Sequence, residues 1–74
     1  MLSREPSEKA KSMTTGELIE WLETIKLSKY ATVFEDEGIT GEELAVFTLE
    51  TLKEMGIEKD LERRKILLHF RKIQ

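Results

Sequence analysis

Few residues in this 74-residue chain can do acid–base or nucleophilic chemistry. There is one histidine, His69, and no cysteine, so neither a histidine-rich metal cluster nor a thiolate site can form. His69 lies between Leu68 and Phe70 and reads as a partly exposed surface histidine rather than a base. Glu42 and Glu43 are adjacent carboxylates, but a catalytic carboxylate needs a cleft that shifts its pKa, and a domain of this size offers little cleft. A Gly-rich phosphate loop, a GxSxG elbow, an HExxH pair and a calcium loop are all missing from the sequence. The expectation is a protein that is not an enzyme, with no catalytic residue, no cofactor and no metal, and with its function in its surfaces.

The group that does recur is a threonine hydroxyl. Met13, Thr14, Glu17 and Leu18 set a phrase that returns as Ile39, Thr40, Glu43 and Leu44, and again as Phe47, Thr48, Thr51 and Leu52. A hydroxyl at the open end of a helix accepts from a backbone N–H, and a Glu three residues on reaches back to the cap N–H. The apolar residue before the cap meets the one at the fourth helical position as a staple. These threonines are therefore read as caps. The third box, with Thr51 in place of Glu, is the weaker one.

Caps so closely spaced require short helices meeting at sharp angles. A first helix is expected from about Thr15 to Ile25, burying Leu18, Trp21, Leu22 and Ile25. Leu27-Ser28 ends it, and Ser28 is expected to cap a second helix to about Glu37, with Tyr30, Val33 and Phe34 inward. Gly38 supplies the left-handed residue after it. Helices at about 41–46 and 49–55 follow, the latter closed by Gly56. A last and longest helix runs from about Asp60 to Ile73, with Ile66, Leu67, Phe70 and Ile73 as its inner stripe. Leu61 and Leu68, seven residues apart, share an azimuth away from that stripe. No segment alternates with period two. The fold class expected is all-α, five helices about one core, with Trp21, Phe34, Leu44, Leu52 and Ile66 buried and Trp21 contributing most. Residues 1–12 are polar and aperiodic and are read as a flexible leader to a domain at 13–74.

Composition bounds the rest. No apolar run approaches the length of a membrane span, and the N-terminal stretch has no signal-peptide h-region. The absence of cysteine suits an intracellular location, cytoplasmic or nuclear. The formal net charge is −3, which argues against general nucleic-acid affinity. It is unevenly spread. Residues 35–54 hold seven acids and one base, and residues 59–74 hold six bases and two acids. Opposite poles on one small domain suit head-to-tail association.

The chain from Met13 to Ile73 resembles the sterile alpha motif, or SAM, family. The matching residues are Leu18-x-x-Trp21-Leu22, Leu27-x-x-Tyr30-x-x-x-Phe34 and Ile39-Thr40-Gly41-x-x-Leu44-x-x-Phe47-Thr48, then Leu52-x-x-Met55-Gly56-Ile57 and Arg63-x-Lys65-Ile66-Leu67. The resemblance implies a five-helix bundle and a protein-interaction module. It departs from the family at Met13, where an aromatic is common, and at Leu61-Glu62, where Gly-His commonly precedes the arginine. Many SAM domains associate with one another through two unlike surfaces. Carried onto this chain, the end-helix surface is Lys59, Leu61, Arg63, Arg64 and Lys65. The mid-loop surface is Asp36, Glu42, Glu43, Val46 and Glu50, with Val46 at a position usually polar in the family. The partner implied is another SAM domain, the same or different. The alternatives are RNA-hairpin binding by the basic patch, which a minority of the family performs, and lipid binding by the same helix. Against RNA stand Asp60, Glu62, the acidic total and the lack of an aromatic free to stack on a base.

Overall fold

The structure, a computed structural model, describes residues 6–73. The described residues form six α-helices and one 3-10 turn, without a strand: α1 (Glu8–Lys11), α2 (Thr15–Thr24), the turn Ser28–Tyr30, α3 (Ala31–Glu37), α4 (Gly41–Leu44), α5 (Leu49–Glu54) and α6 (Asp60–Arg71). The five expected helices are α2 to α6, and α6 is the longest.

All three threonine caps are built. Thr14 Oγ1 accepts from the Glu17 N–H, and the Thr14 N–H donates to Glu17 Oε1 at 2.9 Å. Thr40 and Glu43 repeat the box for α4. At α5 the Thr51 hydroxyl takes the place of the carboxylate, and the Thr48 N–H reaches it at 3.5 Å. That is the longest of the three backbone-to-side-chain closures, as a shorter side chain requires.

The helices α4 and α6 end two residues short of expectation, and two other boundaries are built differently. The α2 C-terminus is made by Lys26 at φ 62, with the Leu27 N–H donating to the Leu22 carbonyl at 2.8 Å. A left-handed lysine closes this helix where glycine is usual. Ser28 makes no side-chain cap; it opens the 3-10 turn, and α3 follows without a side-chain cap. After α3, Gly38 takes φ 61 as expected.

The core joins every α-helix. Leu18 and Leu22 of α2, Phe34 of α3, Leu44 of α4, Leu52 of α5, and Ile66 and Phe70 of α6 are buried together with Leu27, Ile39 and Ile57. Trp21 is a correction: it is half-buried at the edge of the core. Its indole meets the Phe70 ring edge-on, with centroids 5.8 Å apart. The largest fully buried side chains are Phe34 and Phe70 instead. A rim position leaves an indole edge near water, which suits its amphipathic ring.

A second correction concerns residues 7–12 of the expected leader. They are folded onto the body; residues 1–5 lie outside the described residues. Ser7 caps α1 by accepting from the Ala10 N–H and donates its hydroxyl to the Ile73 carbonyl at 2.7 Å. Ala10 is fully buried. The reason is Gly41: a Cβ there would lie 2.0 Å from the Ala10 carbonyl oxygen. The bare α-carbon lets α1 sit directly on the start of α4. The Gly41 N–H then donates to the Met13 carbonyl at 2.8 Å.

Candidate functional site

The first turn of α6 has no side-chain cap; Lys59 stands at the N-cap position. Two neighbouring residues hold the turn from below. Glu62 accepts from the Tyr30 hydroxyl at 2.5 Å and pairs with the Lys29 ammonium at 2.6 Å. The Lys29 ammonium, then the Tyr30 hydroxyl, keep the Glu62 carboxyl below its ordinary range. The same contacts raise Lys29 and Tyr30, because each favours the protonated partner of a carboxylate. Arg63 donates through one guanidinium nitrogen to the carbonyls of Ile57 at 2.6 Å and Glu58 at 2.7 Å.

Arg63, expected on the binding surface, is therefore turned inward. Only 11% of its side chain is exposed, and it fastens the α5–α6 loop to α6. Tyr30, expected inward, is half-buried with its hydroxyl spent on Glu62. No spacing rule signals a pair 32 residues apart, so Glu62 was not legible as the partner of Tyr30 and Lys29.

What remains outward on α6 is more ordered than a basic patch. Leu61 is 81% exposed and Leu68 is 53% exposed. Arg64 and Arg71 are exposed beside them. Arg64 is tied to Asp60 at 2.6 Å, which mutes part of its charge. Lys59 is exposed and Lys65 half-buried.

On the acidic side, Val46 is 78% exposed just after α4. Glu42, Ala45 and Val46 share a shallow groove with Glu8, Lys11 and Ser12 of the α1 region, so a lysine borders the expected acidic surface. Glu43 is exposed but held in its capping box. Asp36 is exposed on α3, outside that groove. Glu50 is placed elsewhere: with Phe47 and Leu49 it faces Arg64, Leu68 and Arg71 across a groove between α5 and α6. The two charged segments therefore meet along one edge.

Among the described residues no group of three or more His, Cys, Asp or Glu side chains is arranged to hold a metal. No helix there is long and apolar enough to cross a membrane. The family model for the SAM domain (sterile alpha motif) matches residues 10–74, and the chain belongs to that family, which is known for protein-interaction modules. It is similar to diacylglycerol kinase eta of Drosophila melanogaster, at 35% identity over 60 residues. The same identity holds for the kinases of that name from Drosophila ananassae and Drosophila yakuba. The matched stretch is 81% of this chain but 3% of each of those kinases. Comparison with solved structures found no match.

Proposed function

We propose that this domain binds another SAM domain, a second copy or a different one, by setting the start of α6 against the partner's mid-loop surface. The observation that carries the reading is where the large exposed apolar residues fall. Among the described residues they are Val46 in the acidic segment, and Leu61 and Leu68 on the basic helix. Unlike patches on one molecule give a heterologous contact, which propagates into a chain unless it closes into a ring. Leu61 and Val46 serve as anchors that set the lifetime of the contact; Lys59, Arg64 and Lys65 opposite Asp36, Glu42 and Glu43 set encounter rate and salt sensitivity. Arg63 supports the surface from beneath. An intracellular compartment belongs to the same reading.

The test is sedimentation of the free domain over a concentration series, with Leu61→Glu and Val46→Glu as single variants. Each variant is expected to be folded and monomeric, and an equimolar mixture is expected to form a dimer that does not extend. A parent that stays monomeric, together with a mixture that does not pair and variants that bind a partner SAM domain as the parent does, would overturn the reading. The basic helix would then be titrated against an RNA hairpin over a salt series, since phosphate contacts give a steep slope.

A further inference from the structure

The outward face of α6 carries a regular stripe: Leu61, Arg64, Leu68, Arg71, spaced three, four and three residues apart, all exposed. Such spacing keeps four side chains on one side of a helix over a rise of about 15 Å. The first half of the stripe lies in the surface proposed above. The second half borders the α5–α6 groove, where Phe47 and Leu49 provide an apolar floor with Leu67 and Leu68. Arg64 and Arg71 stand at the same groove. Arg64 has Asp60 as an ion-pair partner, whereas Arg71 has none among the described residues. Glu50 is the carboxylate that lines the groove with them.

We infer that this groove is the second half of the receiving surface, and that its occupant is the acidic mid-loop edge of a second copy of this chain. The inference rests on the two-surface reading and extends it from one turn of α6 to three. Charge and shape select the occupant. The groove offers an exposed leucine and a guanidinium with no ion-pair partner among the described residues, which call for an apolar side chain beside a carboxylate. On this chain that combination is exposed at Val46, with Glu42 at the same groove edge. An anchor at Leu61 alone leaves Leu68 and Arg71 facing water. A footprint along the stripe covers both leucines and places a carboxylate within reach of Arg71.

Two half-blind proteins isolate the claim. Val46→Glu presents only the α6 side, and Leu61→Glu presents only the mid-loop side. Leu68→Glu and Arg71→Glu are added, one at a time, to either member, and the affinity of the pair is measured by titration calorimetry. Each addition to the Val46→Glu protein is expected to weaken pairing by about tenfold, the size of a modest anchor or a desolvated charge. The same addition to the Leu61→Glu protein, whose α6 face is already blind, is expected to change affinity less than about twofold. Thermal melts check that each variant is folded; where Leu68→Glu is not, Leu68→Ser replaces it. Equal effects in both members, or none in either, overturn the inference while leaving the two-surface reading in place. A Val46→Glu and Leu61→Glu pair that does not bind at all overturns both.

Discussion

At Glu62 two protonated groups of the 3-10 turn converge on one carboxylate: the Tyr30 hydroxyl and the Lys29 ammonium. The charged carboxylate is favoured, so the stability that Glu62 contributes is fully present above its ordinary pKa of 4.5 and is lost as pH falls through the lower folded-state value. For Tyr30 and Lys29 the sign is opposite. Their contribution is full below the ordinary values of 10.0 and 10.5 and is lost as pH rises through the raised ones. Glu62→Gln, which carries no charge, is therefore expected to be less stable than the parent at pH 7. The gap should narrow as pH drops below 4.5, read as urea midpoints from pH 7 to pH 3. A gap that is constant with pH would mean that the ion pair contributes nothing. Tyr30→Phe removes one bond to a charged acceptor and should fold normally at a cost of about 1–3 kcal/mol. Arg63 is a sharper case, because its donors reach two backbone carbonyls rather than a side chain. Arg63→Ala should lower the melting temperature, and Arg63→Lys, a point charge on a flexible stem, should recover only part of the loss. A variant that melts as the parent does yet fails to bind would restore Arg63 to the binding surface.

Among the elements, α1 depends on a single absent atom group. Gly41→Ala would drive a Cβ into the Ala10 carbonyl, and backbone cannot yield there as a flexible side chain can. The expected result is release of α1 from α4, with loss of amide protection at Lys11, Ser12 and Met13, whose N–H groups donate within that turn. Protection of α6 should be largely retained. Unchanged exchange at those amides would show that α4 can shift to accommodate the methyl. This contact also explains which elements were legible. The threonine caps bind partners three residues away, so the string holds the whole interaction, and α2, α4 and α5 began where their caps said. The α1 helix is one turn with one buried residue, and its partner lies about thirty positions on; no periodicity can announce it. Lys26 was hidden for a related reason. The turn it makes is one glycine favours, so a lysine there carries no signal. The candidate site divided in the same way. Exposure of Leu61 and Leu68 could be reasoned from helical azimuth and that of Val46 from a position usually polar in the family, whereas Arg63 reads like its basic neighbours until the Ile57 and Glu58 carbonyls are seen beneath it.

Across the whole molecule, the apolar residues of α2 to α6 converge on one core, while the charged segments meet at an edge between α5 and α6. A body about 33 Å in its longest dimension would, on the proposed two-surface reading, be a subunit suited to stacking. The outer parts of the described segment, near residues 7 and 73, have a different property. The Ser7 hydroxyl touches the Ile73 carbonyl, so positions 66 residues apart in sequence are neighbours in space. The order in which the helices are written is then not the order the fold needs. A rearranged gene that joins residue 73 to residue 6 through a few glycines, and opens the chain between the exposed Glu37 and Gly38, should yield the same bundle, because permutation succeeds where ends are adjacent and the cut is at the surface. Its helical circular dichroism should match the parent, and its melt should remain cooperative. Such a molecule would carry its ends beside α3, next to Asp36 of the proposed mid-loop surface, rather than at the α1–α6 seam, so that the same bulky fusion could be placed either away from the proposed contact or against it.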